Sequence, residues 1–145
     1  MNKSDRMKRG WVRIGATGAI LALAVPACSI PSETLGPNNH VEVTNLVGHF
    51  QLTADNIQNV TTVMSFTWNN PGVYAAINHQ SFTPHGTTKL IIKDAADSVL
   101  YNGKLLDDQE DRTLSGTPGI WNVTFTLDQS VGQIDVTLDA AWPPD

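Results

Sequence analysis

The chain has 145 residues, a single cysteine and a formal charge of −5. That length holds one domain, large enough to build a core without metal or disulfides, and a lone thiol excludes an intramolecular disulfide framework. The charge is unevenly spread. Residues 1–27 hold five basic side chains (Lys3, Arg6, Lys8, Arg9, Arg13) and one acidic, Asp5, so the remaining 118 residues hold four basic and thirteen acidic, a net charge of −9. An exterior this acidic repels phosphate backbones and anionic headgroups, which argues against a nucleic-acid partner.

In chain order, Met1 to Arg13 forms a basic segment, and Ile14 to Ala27 an apolar run of 14 residues. The run is too short for a helix across a bilayer core, which takes about 20 residues, and fits the h-region of an export signal. It ends in Leu23-Ala24-Val25-Pro26-Ala27-Cys28, with the only cysteine in last place. This segment resembles the lipobox of bacterial lipoproteins. Val25 and Ala27 also suit ordinary signal peptidase, but a thiol directly at the cut favours the lipoprotein reading. The resemblance implies that residues 1–27 are removed and that Cys28 carries acyl chains, palmitate among them, as a membrane anchor. Two or more such chains hold firmly where one holds marginally. Ser29 stands where an aspartate would signal inner-membrane retention, so the resemblance implies the cell membrane, or the outer membrane in a Gram-negative cell.

Residues 28–39 read as the lipidated tether. Ser29 to Asn39 is rich in Pro, Ser, Gly and Asn, a flexible composition with a reach of about 17–20 Å. The folded domain is expected over residues 40–145. From there the period is two. Val41 to Thr53 brings Phe50 and Leu52 to one face, with a break near Gly48. Thr62 to Trp68 alternates Met64, Phe66 and Trp68 against Val63, Ser65 and Thr67. Asn69-Asn70-Pro71-Gly72 is a turn. Val73, Ala75 and Ile77 share the next face, and Leu90 and Ile92 the one after. Val99 and Tyr101 share a face of a strand expected to turn at Asn102-Gly103, a pair favoured in type I′ hairpins. Ile120 to Leu127 turns Trp121, Val123, Phe125 and Leu127 inward, and Gln133 to Asp139 does the same with Ile134, Val136 and Leu138. No window carries a helical stripe, and turn signals recur every 8–15 residues. The pattern predicts an all-β fold, an antiparallel β-sandwich of about seven strands in two packed sheets, with jelly-roll and immunoglobulin-like topologies both open.

Gly116-Thr117-Pro118-Gly119-Ile120-Trp121-Asn122-Val123 leads into one of these strands. The segment loosely resembles a turn in the jelly-roll accessory domains of secreted bacterial proteins, where the Trp fills the core. That resemblance covers residues 87–139 and implies fold, not activity.

Two clusters are candidate binding residues. Asp107, Asp108, Glu110 and Asp111, with Asp94 and Asp97 from another loop, supply oxygens of the kind Ca²⁺ takes, although no calcium-loop spacing is present; a solvated acidic loop is the competing reading. Trp68, Asn69, Asn70 and Tyr74 surround a strand-end turn, where an exposed ring beside amides would stack a sugar and bind its hydroxyls. His79 and His85 flank Gln80 to Pro84 and read as loop histidines without a third ligand. For catalysis no nucleophile elbow, phosphate-cradling loop or zincin helix is present, and only carboxylates paired by folding are left open. The expectation is a non-catalytic, lipid-anchored envelope module, structural or protein-binding, with no cofactor; the alternative is a glycan- or calcium-binding module.

Overall fold

The computed structural model describes residues 34–106 and 109–143. Seven strands form one antiparallel sheet: β1 (Glu42–Leu46), β2 (His49–Asn70), β3 (Tyr74–His79), β4 (Phe82–Lys93), β5 (Val99–Lys104), β6 (Gln109–Arg112) and β7 (Gly119–Ala141). The fold is all-β, as the period of two predicts. The two packed sheets of that expectation are instead two halves of a single sheet.

The halves arise from β2 and β7, which pair with each other from His49↔Asp139 to Asn70↔Gly119. A straight strand of 22 residues would reach about 70 Å at the usual rise. Here the ends of β2 meet: the Gly48 N–H donates to the Asn69 carbonyl at 2.9 Å, and the Ala140 N–H to the Gly48 carbonyl at 2.8 Å. The ribbon is folded double. The bend lies where the register slips between Ala54 and Thr62, and left-handed residues gather there: Asn56, Asn59, Gln129 and Gly132 all have positive φ. Asparagine tolerates that backbone through its short polar side chain, and glycine has no Cβ to clash. β4 bends at the same level, with slips on both sides of His85. A Cβ on Gly132 would overlap the Phe82 carbonyl. Bulges at a corner are how a sheet turns to cover its own face.

Folding the ribbon makes two layers. The first holds β1, the first half of β2, the second half of β7, β3 and β6. The second holds the other halves of β2 and β7, then β4 and β5. Between them lie Phe50, Leu52, Ile77, Leu90, Ile92, Trp121, Val123, Phe125, Leu127, Ile134, Val136 and Leu138, all at 1% exposure or less. Phe50 of the first layer meets Phe66 and Phe125 of the second at centroid distances of 5.4 and 6.3 Å. Opposite the corner the layers are laced together. Trp68 Nε1 donates to the Leu46 carbonyl at 3.2 Å on one side. On the other, the N–H groups of Thr113 and Leu114 donate to the carbonyls of Ala75 and Leu100.

Two local expectations change. Asn102-Gly103 lies inside β5 and is not a turn; the hairpin into β5 is made at Asp94–Ser98, and the Tyr101 ring lies over Gly103, filling the space its missing side chain leaves. A bulge after Ile92 turns Val99 outward, half exposed, and buries Leu100. Chain packing also begins before His40: Leu35 lies against the core, and Pro37–Asn39 form a 3-10 turn with Asn39 buried.

Replacing Trp121, fully buried and edge-on to Trp68 at 5.9 Å, by alanine is expected to cost about 3–5 kcal/mol of stability in urea unfolding. A loss near zero would place the ring outside the core. Gly132→Ala, which has no room at the corner, should lower the melting temperature while Gly36→Ala, in open surroundings, should not.

Candidate functional site

The predicted site residues are dispersed by the fold. Cys28, Asp107 and Asp108 lie outside the described residues. Glu110 and Asp111 are consecutive on β6 and point to opposite sides of the sheet, since Glu110 sits opposite Asn78 and Asp111 opposite buried Ile77. Asp111 is turned toward Tyr101 on β5. The phenol's pKa is raised by burial first and then by the charge of Asp111 and the hydrogen bond it accepts. Asp97 is exposed and pairs with Lys93 at 3.0 Å.

Asp94 is not a ligand in waiting either. Only 4% exposed, its Oδ1 accepts from the N–H groups of Ala96 and Ser98 at 3.0 and 2.8 Å, and its Oδ2 from the Thr117 N–H at 2.8 Å. Thr117 in turn offers its carbonyl to Trp121 Nε1 at 2.7 Å. The carboxylate thus ties the β4–β5 hairpin to the segment that precedes β7. Gly116 leaves room there for the Leu100 and Asp94 side chains, both of which a Cβ would crowd. Among the described residues, no group of three or more His, Cys, Asp or Glu could hold a metal ion.

The sugar-stacking arrangement is corrected too. Trp68 is fully buried and presents no face to solvent. Asn70 is buried inside the turn, where its Oδ1 accepts from the Gly72 N–H at 2.9 Å and its Nδ2 donates to the Tyr74 carbonyl at 3.0 Å. Tyr74 is half-buried, with the Arg112 guanidinium 4.5 Å from its ring centroid. Asn69 alone is exposed. The two histidines expected in a loop lie on strands instead, His79 buried on β3 and His85 exposed on β4.

What the fold does bring together is a polar surface on the outside of the first layer. Its rows follow from the register: Glu42–Thr53–Asp135, Thr44–Gln51–Thr137–Asn78–Glu110, and Leu46–His49–Asp139–Ala76–Arg112. A depression of about 240 Å³ lies among Asn78, Gln80, Asp135, Thr137 and Asp139. A second, of about 320 Å³, lies toward the corner among His40, Glu42, Thr53, Asp55 and Gln133 and shares Asp135. Both are open and shallow. Three of their carboxylates are held: Asp135 Oδ1 accepts from Gln51 Nε2 at 3.0 Å, Asp139 Oδ1 lies 2.7 Å from His49 Nδ1, and Asp55 Oδ1 lies 2.8 Å from His40 Nδ1. In each, the other oxygen has no partner among the described residues. Alternation along β7 marks Asp135 and Asp139 as outward-facing in sequence, but the side chains that fix them, Gln51 and His49, come from β2.

Charge is divided between the faces. Glu42, Glu110, Asp135 and Asp139 stand on the outer face of the first layer, against Arg112. Lys89, Lys93 and Lys104 stand on the outer face of the second, Lys89 directly opposite Lys104. No family model matches the chain, and no curated protein matches it.

The pKa of Asp94 lies below its ordinary 3.8, chiefly through the Thr117 and then the Ser98 backbone N–H bonds, with burial opposing them. The unfolded chain therefore binds this proton more readily. The stability that Asp94 supplies is complete above about pH 5 and is lost as pH falls through 3.8 and on through the lower folded value. Unfolding measured from pH 7 to pH 3 should show Asp94→Asn less stable than the parent at pH 7, with the gap narrowing as pH falls below 4. A gap independent of pH would rule out the carboxylate charge as its source.

Proposed function

We propose that this protein is a lipid-anchored component of a bacterial cell envelope whose β-sandwich is non-catalytic and binds another protein through the outer face of β1, β2, β7, β3 and β6. The observation that carries this reading is the pair Asp135 and Asp139, each fixed on a rigid strand by a neighbouring side chain with one oxygen left open. Charge placed that way on a broad, shallow face suits a basic protein surface, which buries area without needing a deep cleft. Small-molecule chemistry has the opposite requirement, a concave pocket that encloses most of its ligand. The anchoring part of the reading rests on Leu23 to Cys28 and the basic segment before it. With Leu35 onward packed on the domain, residues 29–34 would serve as a short tether that keeps this face near the bilayer.

Two measurements test the two parts. Cys28→Ser should move the protein from the membrane fraction to the soluble fraction; unchanged partitioning would reject lipid anchoring. For the face, a photo-crosslinker at Thr137 in intact cells should give a discrete adduct that Asp135→Asn with Asp139→Asn reduces at least tenfold. An adduct indifferent to those two carboxylates, or none, would reject this face as the binding surface.

A further inference from the structure

The edges of the sheet are not equally protected. β6 is short and carries Glu110, Asp111 and Arg112; β1 carries Glu42; the β5 edge is covered by Leu114, whose N–H donates to the Leu100 carbonyl. The second half of β2 has none of these protections along most of its length. Its outward side can be read from two bonds. The Thr67 carbonyl accepts from Asn45 Nδ2 at 2.8 Å and the Asn69 carbonyl from the Gly48 N–H at 2.9 Å, both on the side away from β7. The register with β7 is unbroken from Thr62 to Asn70, so Val63 and Ser65 direct their N–H and C=O groups the same way. Neither residue's backbone has a partner there among the described residues. The flanking side chains are apolar: Val63 is 63% exposed, and Met64 and Phe66 pack on the core yet remain partly open to solvent. Residues 56–88 contain no Asp, Glu, Lys or Arg.

We propose that this edge of β2 pairs with the same edge of a second copy, antiparallel across a two-fold axis that sets Val63 or Ser65 directly opposite its own counterpart, joining the second layers of two sandwiches into one continuous sheet. Charge selects the occupant. A two-fold places each edge residue near its own twin, so any charge on the strand would meet its like, and like charges opposite one another destabilise a strand pair. This edge carries none, although the domain as a whole is strongly acidic. Natural edges commonly carry a lysine, a proline or a bulge that prevents such pairing, and from Thr62 to Trp68 this strand has none of the three. Pairing would also cover Val63, Met64 and Phe66 with their counterparts. The proposal is independent of the acidic outer face of the first layer, which the dimer leaves open on both copies.

The test uses the full chain in the cells that express it. Single cysteines at Val63 and Ser65, with Thr137→Cys as a control on the far face, are oxidised in intact cells and separated on non-reducing gels alongside the unsubstituted chain. Hydrogen-bonded antiparallel pairs hold Cα atoms about 5.5 Å apart, inside the roughly 4.4–6.8 Å that a disulfide spans. Disulfide-linked dimer is expected at one or both edge positions and not at the control. A lysine at the neighbouring edge position (Val63→Lys with Ser65→Cys, or Ser65→Lys with Val63→Cys) should lower its yield at least tenfold while leaving the melting temperature unchanged. Two independent lysine variants keep the test sound if one fails to fold. Monomer at both edge positions, or equal dimer at Thr137, would overturn the proposal. So would a photo-crosslinker at Val63 that captures a discrete adduct of some mass other than twice the chain, which would assign the edge to a foreign strand.

Discussion

A backbone hydrogen bond from Gly48 to Asn69 joins the two ends of one strand, and the rest of the architecture follows from what makes that bond possible. β2 and β7 must bend together, at the same level, without losing their pairing. Four residues with positive φ and three slips in register achieve this. Once the ribbon is doubled, each half offers a free edge to further strands. β7 accepts β3 along its second half and β4 along its first, so one strand is central to both layers. The aromatic contacts of Phe50 with Phe66 and Phe125 then connect residues far apart along the ribbon, and each such pair adds about 0.5–1.5 kcal/mol beyond its buried area.

The faces of the strands were legible in sequence because one side of each is buried and the other wet. Trp121, Val123, Phe125 and Leu127 point inward as their alternation demands, and so do Ile134, Val136 and Leu138. The continuity of β2 and β7 was not legible. Asn56, Asn59 and Gly132 look like turn residues, and they do supply turn-like backbone, but within strands that carry on past them. The same ambiguity in reverse made Asn102-Gly103 look like a hairpin, when a tyrosine two residues from the glycine covers it and keeps the strand extended.

The candidate residues show why composition is a weak guide to sites. Asp94, Trp68 and Asn70 have the chemistry of ligands, and the fold uses all of them on itself: Asp94 binds three backbone N–H groups, Trp68 bonds to Leu46, and Asn70 closes its own turn. A short polar side chain beside a turn is first of all a partner for the turn. The carboxylates left facing solvent, Asp135 and Asp139, carry no motif. Their grouping with Gln51 and His49 depends on pairing between residues more than eighty positions apart, which no local pattern encodes.

Folding the ribbon double also decides how the domain would bear a pull. Asn38 and Asn39 bond to Asn56 at the corner, whereas Ala141 meets Val73 at the opposite pole. β1 leads away from the corner, and β7 finishes at the pole. Tension applied between residues 34 and 143 therefore acts along the strands and not across them. The ladders of β1 on β2, and of β7 on β2 and β3, would be loaded in shear, with their hydrogen bonds sharing the force instead of parting one after another. A sandwich strung this way would yield to a pull only when many of those bonds part at once.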